Sequence, residues 1–209
     1  MQTGEPYHHS ITASPRDRRT RDSFLLAVLN ALPPERRILD FGAGTGLDAK
    51  VYAAAGHRVS VYEPDDAQCA YLARYCREEI AHRVVIPSDF PPKEPVDAIT
   101  ADFAVLNLVP DPAALFEAFS QILAKDGFIL ASLLNPYFPG DMRYGWWRAN
   151  LLTLLRGGQY TVGSAPQVTR YGPHRMARLA APHFRLDRIL SAGPVWWMRQ
   201  YAFLLFRPS

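Results

Sequence analysis

The chain has 209 residues, 48% of them hydrophobic, with 23 basic and 20 acidic side chains and a formal charge of +3. This length supports one compact domain with a sizeable core, and a composition without repeats or low-complexity tracts excludes a disordered or fibrous protein. No apolar run reaches the roughly 18 residues that a membrane-spanning helix needs, and the opening lacks a charged-then-apolar leader pattern, so the expectation is a soluble cytoplasmic protein.

The opening PYHHSITASPRDRRTRD is polar and reads as loose chain until a helix begins near Asp17 or Arg18; the apolar run FLLAVLNAL then stops at Pro33 and Pro34. Thereafter the pattern predicts strand 37–41, helix 46–55, strand 58–63, helix 65–80, strand 83–87, strand 96–101, helix 111–124 and strand 127–134. Strands separated by helices imply a parallel sheet with right-handed crossovers. HRVSVY and GFILASLL carry the apolar and β-branched residues of strands covered on both faces. Cys69 and Cys76 fall seven apart in a predicted helix, about 10 Å between Cα atoms and beyond disulfide reach, and read as packing residues. The six histidines, His8, His9, His57, His82, His174 and His183, make no metal motif.

The most informative stretch is ILDFGAGTG, residues 38–46, a buried strand feeding a glycine turn and then a helix. That arrangement presents backbone N–H groups beside a ligand. Gly42, Gly44 and Gly46 are spaced G-x-G-x-G, and Leu47 stands where a dinucleotide fingerprint has its third glycine. Asp40 at the strand end suits an ammonium better than a pyrophosphate. Glu63, at the tip of the next strand, suits the two hydroxyls of a ribose. The bland alternative is an ordinary tight βα connection.

ILDFGAGTG with VSVYEPD resembles the S-adenosylmethionine site of class I methyltransferases, and VDAITADFAVLNLVPDPAALFEAFSQILAKDGFILASLLNP resembles the second half of that fold, closest in style to its small-molecule, type 11-like group. The resemblance implies an α/β, Rossmann-like, doubly wound and mostly parallel seven-stranded sheet, closed by an antiparallel C-terminal hairpin. It implies that Gly42 and Gly44 lie against the methionyl part of the cofactor, with Asp40, Gly46 and Pro64 in the same site and Glu63 on the ribose. Asp89 and Phe90 match the residues that take the adenine, and Asp102 matches the position facing the methionine group and the substrate. Asp89 and Asp102 also read as a turn cap and a solvated loop acid. DFAVLNLVPD stands where members that methylate nucleobase amines carry N-P-P-F/Y, which argues against that activity.

From Pro136 onward the composition changes. This part holds ten arginines, no lysine and only two acids, Asp141 and Asp187, a formal charge of +8, whereas the residues before it hold 13 basic and 18 acidic groups, or −5. It also holds all four tryptophans. By the resemblance, 136–172 is a substrate-side insertion or lid within a single domain of 1–209. DMRYGWWRANLLTLLRGG reads as one helix from Asp141 to a stop at Gly157. Three readings stand for it: a lid walling an apolar pocket, an interfacial helix for a lipid-like substrate or an anionic membrane surface, or a dimer contact or core helix. Tyr137, Trp146, Trp147 and Tyr171 are the pocket candidates. His174, opening the next helix in YGPHRM, is a candidate base or a plain surface histidine. Arginines interleaved with aromatics also fit RNA, as a lesser alternative to a small, lipid-like or anionic acceptor. The tail HFRLDRILSAGPVWWMRQYAFLLFRP reads as strand, turn and strand. The reading is thus an S-adenosylmethionine-dependent methyltransferase of undetermined oligomeric state; a non-catalytic cofactor-binding subunit of the same fold is the alternative.

Overall fold

A computed structural model describes residues 4–86, 90–163 and 167–209. The first two helices, α1 (Glu5–Ala13) and α2 (Pro15–Ala31), replace the loose opening expected from its polarity. Ser14 caps α2 by accepting the Asp17 N–H at 3.2 Å, and Pro15 occupies the first turn, where its missing N–H costs nothing. α1 is too short to persist alone; it is docked through buried His8, whose Nδ1 lies 3.1 Å from Thr45 Oγ1 and whose ring packs on Tyr71 and Tyr75.

Next come β1 (Arg37–Phe41), α3 (Leu47–Ala54), β2 (Arg58–Tyr62), α4 (Asp66–Tyr75), α5 (Arg77–Ile80), β3 (Val84–Val85), β4 (Val96–Ala101), α6 (Pro112–Ile122) and β5 (Leu123–Leu134). The helix expected over 65–80 is therefore divided at Cys76. The insertion and tail supply α7 (Gly145–Ala149), α8 (Leu151–Leu155), β6 (Gln159–Val162), β7 (Val168–Tyr171), α9 (Pro173–Ala180), β8 (Phe184–Leu190) and β9 (Tyr201–Pro208). The main sheet has the order β3-β2-β1-β4-β5-β9-β8. Its β1–β5 pairings are parallel, and β9 runs antiparallel to both β5 and β8.

Successive residues of β1 serve opposite faces. Ile38 joins Phe24, Val28, Tyr52 and Leu72 under α2, α3 and α4, while Leu39 joins Phe116, Phe119 and Met176 under α6 and α9. Both faces are thus covered, which is why these strands read as apolar runs. Cys76 is buried beside Gly46, and burial pushes its thiol pKa up to about 12, as a packing role requires. Among the described residues no helix is long and apolar enough to cross a membrane.

The single helix expected over the insertion is not formed. A 3-10 turn (Pro139–Arg143), α7 and α8 take its place, broken at Asn150, whose side chain donates to the Trp146 carbonyl at 2.8 Å. A short polar side chain that bonds the nearby backbone competes with helix continuation. Asp141 does not start a helix; it is buried in an ion pair with Arg170 of β7 at 2.9 Å. Gly157, at φ 67°, does end α8. The antiparallel β6–β7 pair is an element that the sequence pattern did not show.

Candidate functional site

β1, β2 and β4 are neighbours in the sheet, so their carboxyl ends bring Asp40, Glu63 and Asp102 to one edge. There a cavity of about 720 Å³ is lined by Asp40, Gly42, Gly44, Glu63, Pro64 and Asp102, all expected from sequence. Gly42 and Gly44 have φ values of 76° and 56°, and a Cβ at Gly42 would lie 2.6 Å from both γ carbons of Val105. At position 42 glycine is required twice over, by conformation and by the close approach of Val105 in the loop after β4.

The turn does not leave all its N–H groups free. Gly42 and Ala43 donate to the Tyr62 carbonyl, and Gly44 donates to Glu63 Oε2 at 2.8 Å. Glu63 Oε1 accepts from Asp65 N–H at 2.9 Å, so the β2 acid lashes the glycine turn while each oxygen keeps further acceptor capacity. Gly46 does not line the cavity: its Cβ would meet Leu72 and Cys76, which makes it a packing glycine between α3 and α4.

The electrostatics are lopsided. Asp40, Asp48, Glu63 and Asp102 all line the cavity, with Arg21 of α2 as the one cation among the described lining residues. Arg21 Nε lies 2.9 Å from Asp48 Oδ1, both side chains being almost fully buried. Burial, reinforced by the charge of Asp48, raises Asp40 well above the usual carboxylate range and Asp102 to about 8; the Phe103 N–H on Asp102 at 2.7 Å and the Thr100 hydroxyl on Asp40 at 3.2 Å oppose this only in part. Burial also raises Asp48, although Arg21 pulls it down, and Glu63, although two N–H groups do the same. Asp40 Oδ2, Asp102 Oδ2 and Gln68 Oε1 are buried without a hydrogen-bond partner among the described residues. Unpaired acceptors and crowded carboxylates are costly, and a ligand carrying cations and N–H donors relieves both.

Several lining residues were not foreseen. Tyr7 of α1 covers the glycine turn, and burial pushes its hydroxyl up to about 12, so it stays protonated. Phe103 and Ala104 sit at positive φ immediately after β4, a strained turn that aims Phe103 into the cavity, 5.0 Å from the Arg21 guanidinium and 5.5 Å from the Tyr201 ring. Tyr62, Leu108, Val109 and Pro110 form an apolar end. The Ser-Pro-x-Asp pattern at 14–17 was the available sign of an earlier helix start.

Other expected site residues that the structure describes lie elsewhere. Phe90 packs behind Tyr62, Phe41 and Phe119 rather than in the cavity lining, and Asp89 lies outside the described residues. Trp146, Trp147 and Tyr171 belong to the layer around α7, β6 and β7: Trp146 lies 5.0 Å from the Arg170 guanidinium, Trp147 Nε1 donates to the Pro136 carbonyl, and Tyr171 is buried in the core. Tyr137 packs on Trp196, and His174 is exposed at the start of α9. Phe90, Trp146, Trp147, Tyr171, Tyr137 and His174 are not among the described residues that line the cavity, whose cover comes from α1 and α2 rather than from the described part of the insertion.

A family model described as a methyltransferase domain matches residues 13–165, most of the chain. The chain belongs to that family. Among curated relatives, the methyltransferase is 31% identical over 107 residues to a ubiquinone biosynthesis O-methyltransferase of Xanthomonas campestris pv. campestris, covering 49% of this chain and 44% of that protein. The chain thus spans about half the length of the curated relatives it matches. Among solved structures, the CcbJ methyltransferase of Streptomyces caelestis superposes with a TM-score of 0.70 at 15% identity, covering 94% of this chain and 97% of that one. The N-methyltransferase NodS of Bradyrhizobium japonicum WM9, solved with S-adenosyl-L-homocysteine, gives 0.65 at 12% identity, with coverages of 93% and 88%. These likenesses establish the Rossmann-like methyltransferase fold.

Proposed function

We propose that this methyltransferase transfers a methyl group from S-adenosylmethionine to a small or lipid-like acceptor, with a hydroxyl as the favoured acceptor group. The observation that carries the proposal is the cavity beyond β1, β2 and β4, where buried carboxylates outnumber the single arginine and two carry unpartnered oxygens. The residues fit a cofactor bearing an ammonium and a sulfonium: Asp40 and Gln68 offer acceptors beside the glycine turn, Glu63 keeps lone pairs for ribose hydroxyls, and the end formed by Tyr62, Leu108, Val109 and Pro110 suits a planar base. When bound, the cofactor supplies a methyl group already activated by its positive sulfur.

What remains for the protein is to hold the acceptor in line and keep water out, and such positioning is worth effective molarities of about 10⁵ M or more. Tyr7, Phe103 and Tyr201 close the cavity around Asp102. Asp102, with its pKa near 8, is placed to take the proton of an acceptor hydroxyl, a role that the exposed His174 is not placed to perform. The O-methyltransferase names of the curated relatives support a hydroxyl acceptor.

Calorimetric titration with S-adenosylmethionine, S-adenosylhomocysteine and a nicotinamide dinucleotide tests the cofactor assignment. Micromolar binding of the first two and none of the third is expected, with Glu63→Gln weakening both by about tenfold through lost charge-assisted hydrogen bonds. Absence of adenosyl binding by the folded wild type would remove the assignment. Binding without turnover on any acceptor would favour a regulatory subunit.

A further inference from the structure

A second cavity, of about 560 Å³, lies along the neighbouring face of α2, with Arg16 and Arg19 on one side and Phe138, Met198 and Arg199 on the other. Tyr201 lines both cavities. Their electrostatics are opposite: among the described residues the first lining is rich in carboxylates, whereas the second has three arginines and no acid. Among the described residues none of these three arginines enters an ion pair.

Two of the arginines, Arg16 and Arg199, have packing partners. The Arg16 guanidinium lies 5.4 Å from the centroid of the Phe138 ring. Arg199 packs its guanidinium against Gly193 in the β8–β9 connection. Its backbone is pinned as well: fully buried Asn135 donates to the carbonyls of Arg199 and Trp196 at 2.9 and 3.1 Å. Like charges gathered around one cavity with no carboxylate among its described lining residues repel, and guanidinium forks match carboxylate and phosphate oxygens in pairs. Phe138 and Met198 add apolar wall beside them.

We propose that this second cavity binds the anionic group, carboxylate or phosphate, of a soluble acceptor whose apolar body passes Tyr201 into the first cavity. The proposal rests on the methyltransferase reading and specifies its substrate class: an anionic acceptor, held at one end by Arg16, Arg19 and Arg199. The cationic cofactor and the anionic acceptor are thereby sorted into cavities of opposite sign.

The test uses phenyl phosphate and benzoate as probes, with benzamide as the neutral counterpart, titrated into wild type and Arg19→Gln/Arg199→Gln by calorimetry. Both side chains are exposed, so the variant should fold. Binding of both anions, about tenfold or more weaker in the variant, with benzamide insensitive to the substitutions, is the expected result. No anion binding by wild type, or equal binding by both proteins, overturns the proposal. S-adenosylmethionine titrated in parallel reports separately on the cofactor reading and should be unaffected by the variant. Sedimentation with phosphatidylglycerol vesicles, if seen for wild type and lost in the variant, would transfer the arginines to a membrane headgroup and overturn the soluble acceptor.

Discussion

Arg21→Met should destabilise the protein by about 3–5 kcal/mol at pH 8, the usual cost of removing one partner from a buried ion pair. Arg21 and Asp48 side chains are only 10% and 11% exposed, and their closest approach is 2.9 Å. Without the guanidinium, Asp48 stays buried near two other acids, Asp40 and Asp102, whose pKa values its charge already raises. Methionine preserves most of the apolar stem and its packing, so the loss isolates the charge. Against a typical folding stability of about 5–15 kcal/mol, it is a large fraction. The sign of the pH dependence follows from proton binding. Asp48 in the variant has a folded-state pKa raised further above its ordinary 3.8, so between those two values the folded chain binds more protons than the unfolded one and stability falls as pH rises. The deficit should therefore be larger at pH 8 than at pH 5. Urea unfolding of Arg21→Met, Asp48→Leu and the double variant at both pH values measures it, and the double variant should recover most of the loss, since an apolar pair replaces a buried ionic one at little cost. A deficit under about 1 kcal/mol at both pH values, the scale of an exposed pair, would refute the buried-pair argument.

Gly42→Ala should lower thermal stability through two causes, about 1–2 kcal/mol of left-handed backbone strain and about 1–3 kcal/mol of overlap with Val105, and adding Val105→Ala should relieve only the second; an unchanged melting temperature would contradict both. Asp102→Asn should make the ligand-free protein more stable than wild type at pH 8 but not near pH 4, because a carboxyl raised from 3.8 to about 8 loses stability with rising pH across that window, by at most about 1.4 kcal/mol per unit. The same variant should lose turnover on a hydroxyl acceptor, and full activity would remove Asp102 as the proton acceptor.

The parallel sheet, the glycine turn and the acids at the ends of β1, β2 and β4 were legible from sequence because each depends on local chemistry. An apolar run between helices has to be a covered strand, a glycine turn after it has few alternatives, and an acid at a strand tip lands on the ligand edge whatever surrounds the sheet. Asp40, Gly42, Gly44, Glu63, Pro64 and Asp102 met in one cavity for that reason. The cover of the cavity depended on long-range packing instead. His8 finds Thr45 across 37 residues of chain, and only that contact and the aromatic rings beside it turn a polar opening segment into α1 and place Tyr7 over the glycines. The aromatic insertion erred in the opposite direction: its tryptophans advertised a pocket, but Asp141 pairs with Arg170 and Asn150 breaks the helix, so the rings pack within their own layer. The sign of the second cavity was equally hidden, since Arg16 and Arg199 are 183 positions apart and meet only because β9 returns beside β5. Periodicity and motif spacing carry what neighbours in sequence decide; which distant side chains share a cavity, and which charges there go unanswered, is settled only when the chain is packed.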